Sequence, residues 1–190
     1  AVLVRLYKSA LLSFIEFATP AIYHSPDFFL AQIDRVQVAF LDALGIPAAK
    51  ALLEFNLAPL SSKRDIAMMG LLFRIASGCA PHQFNMVIRH AGSAPFPRRL
   101  RNPAIQHHMQ FEDLIDGTHS NAMGRSVLGL VYNFNMLPRH VVAATSAASF
   151  QRFLQNGMKN CLMRGLGNWQ SLLRKGARHM SLASYQGMFS

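Results

Sequence analysis

Acid is what this chain runs out of. Beyond Asp116 there is no aspartate or glutamate, so residues 117–190 carry eight Lys/Arg and no local counter-ion. The first 116 residues hold the other eleven cations and all nine acids, so +8 of the net +10 lies in the last 74 residues. Charge is scarce in total, at 15% of residues against a usual share of about 25%. With 51% hydrophobic residues, the chain is too apolar for intrinsic disorder. Few polar groups remain to coat a free-standing globule, so apolar surface covered by a protein partner is expected. Cysteine is nearly missing: Cys79 and Cys161 lie far apart in apolar settings and read as reduced thiols rather than a disulfide, which gives no support to secretion. No apolar run approaches the roughly 18–20 residues needed to cross a bilayer; Arg5, Lys8 and Glu16, then Arg125 and Asn133, interrupt the longest ones. Membrane insertion is not expected. The start at Ala1, without a methionine, reads as a processed or trimmed chain or a piece of a longer one.

Catalytic patterns are missing too. His107, His108, Glu112, Asp116 and His119 cluster in sequence, and a helix would bring His108 and Glu112 to one face. A zinc site needs three or four converging ligands, however, and neither His-Glu-x-x-His nor paired Cys-x-x-Cys spacing occurs. Cys79-x-x-His82 has no second pair. There is no Gly-x-Ser-x-Gly elbow, and Gly165-x-Gly167 follows a helical pattern rather than a strand. Glu112, Asp113 and Asp116 read as solvated acids. The expectation is a protein that is not an enzyme, with no metal, no cofactor and no small-molecule substrate.

What is present is helical punctuation, with few period-two stretches and no convincing repeat. The expected fold is all-α: an irregular bundle of about six to eight helices with a Pro/Arg-rich connector and a basic C-terminal extension. Leu3, Leu6, Tyr7, Ala10, Leu11, Phe14 and Phe17 form a first stripe that Thr19-Pro20 should end. Ser25-Pro26-Asp27 resembles a helix start, followed by Phe29, Ile33, Val36, Phe40 and Leu44, with Gly45 just past the end. Pro47 opens a short helix to about Phe55. Ser62-x-x-Asp65 resembles a capping box before Ile66, Met69, Leu72, Phe73 and Ala76, which run to Gly78. One more short helix is expected between Pro81 and about His90. Residues 91–104 hold three prolines and three arginines and read as an irregular connector. Helical patterning returns over 122–137 and stops at Pro138. Ser146 then caps a helix with Phe150, Phe153, Leu154, Met158, Cys161 and Leu162 on one face and Arg152, Asn156 and Lys159 on the other. A short Trp169–Lys175 segment and a Gly/Ser-rich tail follow. The expected regions are 1–90, a helical domain; 91–121, the connector with a short helix; and 122–190, the basic helical part.

A cationic field without local acids concentrates phosphate-bearing partners. Arg98, Arg99 and Arg101 in the connector, and Arg152, Lys159, Arg174, Lys175 and Arg178 on helical faces or in the tail, are candidates for phosphate contacts, which give affinity and salt dependence without sequence reading. Tyr132, Trp169 and Tyr185 are candidates for stacking on unpaired bases, although core packing is the plainer expectation for Trp169. The charge points to binding rather than catalysis.

Several segments together resemble the region downstream of the catalytic palm in non-LTR (LINE-type) retrotransposon reverse transcriptases. Leu6-Tyr7-Lys8-Ser9-Ala10-Leu11-Leu12-Ser13-Phe14-Ile15-Glu16 is similar to the family's thumb-entry helix. Ile33-Asp34-Arg35-Val36-Gln37, with Gly45 after it, resembles its Leu-Asp-x-Val-Gln helix. Leu57-Ala58-Pro59-Leu60 with Lys63-Arg64-Asp65-Ile66 resembles its Ala-Pro-Leu and Arg-Arg-Asp-Ile element. Phe134-Asn135-Met136-Leu137-Pro138, Val141-Val142, Ser146 and Phe150-Gln151 resemble the close of such reading frames. The likeness covers roughly 1–78 and 124–155. Lys63 stands where arginine is usual and Phe134 where tyrosine is usual, and nothing here matches the palm aspartates. The resemblance implies a thumb-like region in 1–90 and a post-thumb region that hold nucleic-acid backbones; Lys63 and Arg64, and Arg125, Arg139 and Arg164 of the acid-free stretch, complete the candidate contacts. The expected function is a non-catalytic, RNA-binding structural component of a ribonucleoprotein, with RNA (or RNA/DNA) phosphates and proteins as partners, inside the cell in an organelle such as the mitochondrion or in the nucleus. The alternatives are the template- and primer-gripping portion of an active reverse transcriptase, and a helical subunit of a protein-only complex.

Overall fold

The computed structural model describes residues 2–91, 107–115, 121–166, 169–175 and 182–189. The fold is all-α, with ten helices among the described residues, more than the six to eight expected because several single turns stand alone. Helix α1 spans residues 2–22: Val2–Leu6, a π-helical stretch Tyr7–Leu12, and Ser13–Ile22 follow one another without a break. Then come α2 (Asp27–Ala43), α3 (Ala48–Phe55), α4 (Leu60–Ala76) and the turn α5 (Phe84–Val87). The second part holds α6 (Asn121–Arg125), α7 (3₁₀ Val127–Leu130 running into Val131–Asn135), α8 (Arg139–Val142), α9 (Ala147–Met163) and α10 (Leu182–Phe189).

Helix α4 is the axis of the molecule. Its long neighbour is α9, and α1, α2 and α7 also pack on it. Ile66, Met69, Leu72 and Phe73 are buried as the spacing predicts, and the Phe73 ring stacks on Phe150 of α9 with centroids 4.7 Å apart. One apolar cluster runs from Tyr23 and α4 through Phe111, Phe134, Phe150 and Leu154 to Trp169, Tyr185 and Met188. Residues 1–90 and 122–190 therefore share that core. A smaller cluster of Val4, Tyr7, Leu12, Leu41, Ala51, Leu57 and Leu60 fills the space between α1, α2 and α3.

Several local expectations need correction. Helix α1 does not stop at Thr19-Pro20 but carries Pro20 inside its last turn; this near the end, the missing amide costs a single ladder bond. Most of the first stripe is on the wrong face: of its residues Tyr7 is buried, with Val4 and Leu12 from outside it, whereas Leu3, Leu6, Leu11, Phe14 and Phe17 are exposed. The π-helical stretch contributes to this, because its wider turn shifts the phase of every side chain after it. In α2, similarly, Leu30, Gln37 and Leu41 are buried while Phe29 and Val36 are exposed. Ser62 and Asp65 form no capping box. Helix α4 starts earlier, at Leu60 after Pro59, the Ser62 hydroxyl donates to the Gln170 carbonyl at 3.2 Å, and Asp65 is buried. Residues 107–115 are turns rather than a helix, joined to the first part by an isolated bridge between His90 and Phe111. Within the Gly/Ser-rich tail, Leu182–Phe189 forms a helix, and Gly157 of α9 makes room for it: a Cβ there would lie 2.6 Å from the Phe189 ring and 2.9 Å from the Met188 methyl.

Other expectations hold. Gly45 and Gly78 follow their helices with positive φ, the conformation that favours glycine past a helix end. Ser146 and Ser149 form a reciprocal capping box on α9.

Candidate nucleic-acid interface

A groove of about 550 Å³ lies between α4 and α9, with Glu16 of α1 and Asn56 of the turn after α3 also in its lining. Helix α9 supplies Arg152, Asn156 and Lys159, the i, i+4, i+7 row opposite its buried face, together with Gln151 and Gln155. Helix α4 supplies Lys63, α1 supplies Glu16, and Asn56 stands at the turn in a left-handed conformation with φ 55°, which asparagine tolerates better than most residues. Lys63 Nζ donates to Glu16 Oε1 at 2.6 Å. Lys8, whose ammonium donates to the Phe55 carbonyl, is near enough for Lys63 and Lys159 to act on it. Burial first, then repulsion from these two lysines, lowers the Lys8 pKa. Lys63, Arg152 and Lys159 thus line the groove with one carboxylate, Glu16, and Lys8 lies close by. The arrangement offers point charges for phosphates and amides that can donate or accept.

The remaining sequence candidates divide sharply. Arg64 is not at the surface. Its side chain is 4% exposed and forms a two-pronged pair with Asp34, at 2.6 and 2.9 Å. Lys175 is turned inward: its ammonium donates to the carbonyls of Tyr23 and Arg125, at 2.9 and 3.1 Å, and lies 4.5 Å from the centre of the Tyr23 ring. Arg125 Nε is buried without a partner among the described residues. Arg164 donates to the Gly187 carbonyl at 2.6 Å and so ties α9 to α10. Arg139 and Arg174 are exposed, the latter 3.8 Å from Asp27. Arg98, Arg99, Arg101 and Arg178 lie outside the described residues. Trp169 and Tyr185 are buried and so present no face to a base, while Tyr132 is half-buried. Of the sequence candidates the groove gathers Lys63, Arg152 and Lys159. It adds Asn56 and Gln155, which sequence reading missed because nothing local marks them.

His107 is a core histidine. Its Nε2 bonds the Phe134 carbonyl at 3.0 Å, its Nδ1 accepts from the Met109 amide at 3.2 Å, and burial lowers its pKa. Those contacts use both ring nitrogens. Asp116 and His119 lie outside the described residues, and among the described residues no group of three or more His, Cys, Asp or Glu is placed to hold a metal. Likewise, among the described residues no single helix is long and apolar enough to cross a membrane.

Several polar residues act as latches between elements. Besides the Asp34–Arg64 pair, Gln37 accepts from the Tyr7 hydroxyl at 3.4 Å and donates to the Ala58 carbonyl at 3.0 Å. Asn135 pairs with both the amide and the carbonyl of Phe111, at 2.9 and 2.8 Å. The Tyr23 hydroxyl donates to Asp65 Oδ1 at 2.6 Å. Comparison with known protein families, with curated proteins and with solved structures finds no match to this chain.

The Asp65 carboxyl makes a sharp prediction. Burial pushes its pKa up to about 7, against the opposing pull of the Tyr23 hydrogen bond and of Lys175 and Arg64. An acid that holds its proton more tightly folded than unfolded stabilises the fold fully below its unfolded pKa and loses that contribution as pH rises through the folded one. Between pH 4.5 and 7.5, stability from this group falls by as much as about 1.4 kcal/mol per pH unit. Asp65→Asn keeps an acceptor for Tyr23 and removes the titration. Urea unfolding across that range should therefore show a flatter pH profile for the variant. Superimposable profiles would mean that Asp65 ionises normally.

Proposed function

We propose that this chain is a non-catalytic, RNA-binding structural component of a ribonucleoprotein assembly, derived from a reverse-transcriptase-like protein, with an organellar ribosome as one candidate home. The observation that carries the reading is the α4–α9 groove, where Lys63, Arg152 and Lys159 converge beside amide side chains. Binding that rests on phosphates releases counter-ions, so affinity falls linearly with salt on logarithmic axes. With three groove cations engaged on a single strand, the slope should be about −2. Titration of a labelled RNA by fluorescence anisotropy between low and high salt measures it. A slope near zero, or no binding at low salt, would remove the reading.

The exposed side chains of Phe14, Phe17 and Phe28 favour a second reading, a helical interaction subunit of a protein-only complex whose charge is incidental. Absence of RNA binding at low salt would select it. If RNA binds, the same apolar residues are the natural place for a protein neighbour within the assembly.

A further inference from the structure

We propose that the outer face of α1 is a self-association surface, which pairs with the same face of a second copy of this chain, antiparallel, about a two-fold axis at Ala10. The proposal goes beyond the nucleic-acid reading and holds whether or not the groove takes RNA. Val4, Tyr7 and Leu12 are the apolar residues α1 buries, with Ile15 packed against the same cluster. The step of five from Tyr7 to Leu12 falls in the π-helical turn, which takes in an extra residue. That residue also straightens the opposite side of the helix. Val2, Leu6, Ala10, Phe14 and Phe17 fall there in one line, all exposed, Phe14 by 71% and Phe17 by 87%. Leu3 and Leu11, also exposed, widen the line on one flank. Together these side chains present on the order of 800 Å² of apolar surface. The largest apolar patch of a typical monomer is about 300–600 Å², whereas each partner in a standard interface contributes about 800 Å².

The surrounding charge suits a second copy. Between residues 2 and 43, three cations (Arg5, Lys8, Arg35) stand against four acids (Glu16, Asp27, Asp34, Asp42), a net −1. The repulsion between two chains of +10 is therefore not concentrated here. Arg5, Ser9 and Ser13 edge the other flank. Both hydroxyls donate to carbonyls of α1 itself, Ser9 to Leu6 and Ser13 to Ser9, so covering them strands no polar group. Size and sign choose the direction. A parallel pair would set Phe14 on Phe14, Phe17 on Phe17 and Arg5 on Arg5. The antiparallel pair sets Phe14 against Leu6 and Phe17 against Val2, and the small Ala10 lets the helices approach at their crossing. It also brings Arg5 level with Glu16 of the other copy. Glu16 is 47% exposed and gives Oε1 to Lys63; a carboxylate accepts at both oxygens.

Sedimentation velocity of the nuclease-treated chain at moderate salt should show a shift from monomer to dimer between about 1 and 100 μM. Phe14→Glu should weaken dimerisation by at least about 100-fold, because a substitution in a two-fold contact acts twice. Phe14 is exposed, so the thermal midpoint of this variant should match that of the parent, which separates lost association from lost folding. Direction is read by disulfide trapping in a Cys79→Ser background, which removes the exposed cysteine. Ala10→Cys lies on the axis and should cross-link to its own copy under mild oxidation. Val2→Cys should not, because antiparallel pairing holds the two copies of that residue about 24 Å apart at 1.5 Å per residue, beyond the roughly 7 Å that a disulfide spans. A monomer throughout the range, or a dimer that Phe14→Glu leaves intact, would overturn the proposal. Cross-linking through Val2→Cys as readily as through Ala10→Cys would overturn the antiparallel arrangement.

Discussion

Asp34→Ala should lower the midpoint of thermal unfolding by roughly 6–12 °C. The guanidinium of Arg64 is almost fully enclosed and has both prongs on Asp34, whose carboxylate is 30% exposed. Removing the acid strands a cation that water cannot reach, and breaking a buried pair from one side costs about 3–5 kcal/mol. The partial exposure of Asp34 argues for the lower end, about 3 kcal/mol, and in a domain of this size each kcal/mol moves the midpoint by about 2–4 °C. The decisive companion is the double variant Asp34→Leu with Arg64→Met. If the penalty is that of an orphaned charge, replacing both partners with apolar groups of similar volume should restore most of the lost stability. If the double variant is as unstable as the single one, the contact matters for packing and the electrostatic account fails. Scanning calorimetry on the three proteins decides it.

Arg152→Glu with Lys159→Glu should weaken binding of single-stranded RNA by at least about 30-fold at moderate salt, and should make the slope of log affinity against log salt shallower by about 1.4. Two phosphate contacts are lost and two repulsive charges take their place. Arg152 is exposed and Lys159 half-buried on the solvent side of α9, while the opposite side carries Phe150, Leu154 and Met158 into the core. Thermal stability should therefore change little, within about 0.5 kcal/mol. The two readouts separate a binding defect from a folding defect. RNA affinity that survives the double reversal would place the contact elsewhere on the protein.

The long helices were legible because each carries a boundary signal and at least one strong stripe. Pro47, Gly45, Gly78 and Ser146 mark ends that the structure keeps. The buried face of α1 was not legible. That helix is apolar on nearly every side, and a helix with two possible stripes gives periodicity nothing to choose between. The π-helical stretch, invisible to a 3.6-residue count, turns the second half relative to the first. The groove was legible only in part. Arg152, Asn156 and Lys159 share one face of one helix, a local property that spacing reveals. Lys8, Lys63 and Asn56 come from other elements, and only packing brings them near. Arg64 and Lys175 misled for the opposite reason. A cation's partners can lie across the fold, as Asp34 does for Arg64, and as two backbone carbonyls and a tyrosine ring do for Lys175.

The shared core also sets a timetable for synthesis. Helix α4 leaves the ribosome long before its partner α9, some 70 or more residues later, and at about 5–20 residues per second the wait is on the order of ten seconds. Throughout it, Leu72, Phe73 and Ile75 have no α9 to bury them, and Tyr23 has no Lys175 to seal it. A nascent chain in that condition is a substrate for chaperones, and its completion coincides with the arrival of the segment that carries most of the groove's charge.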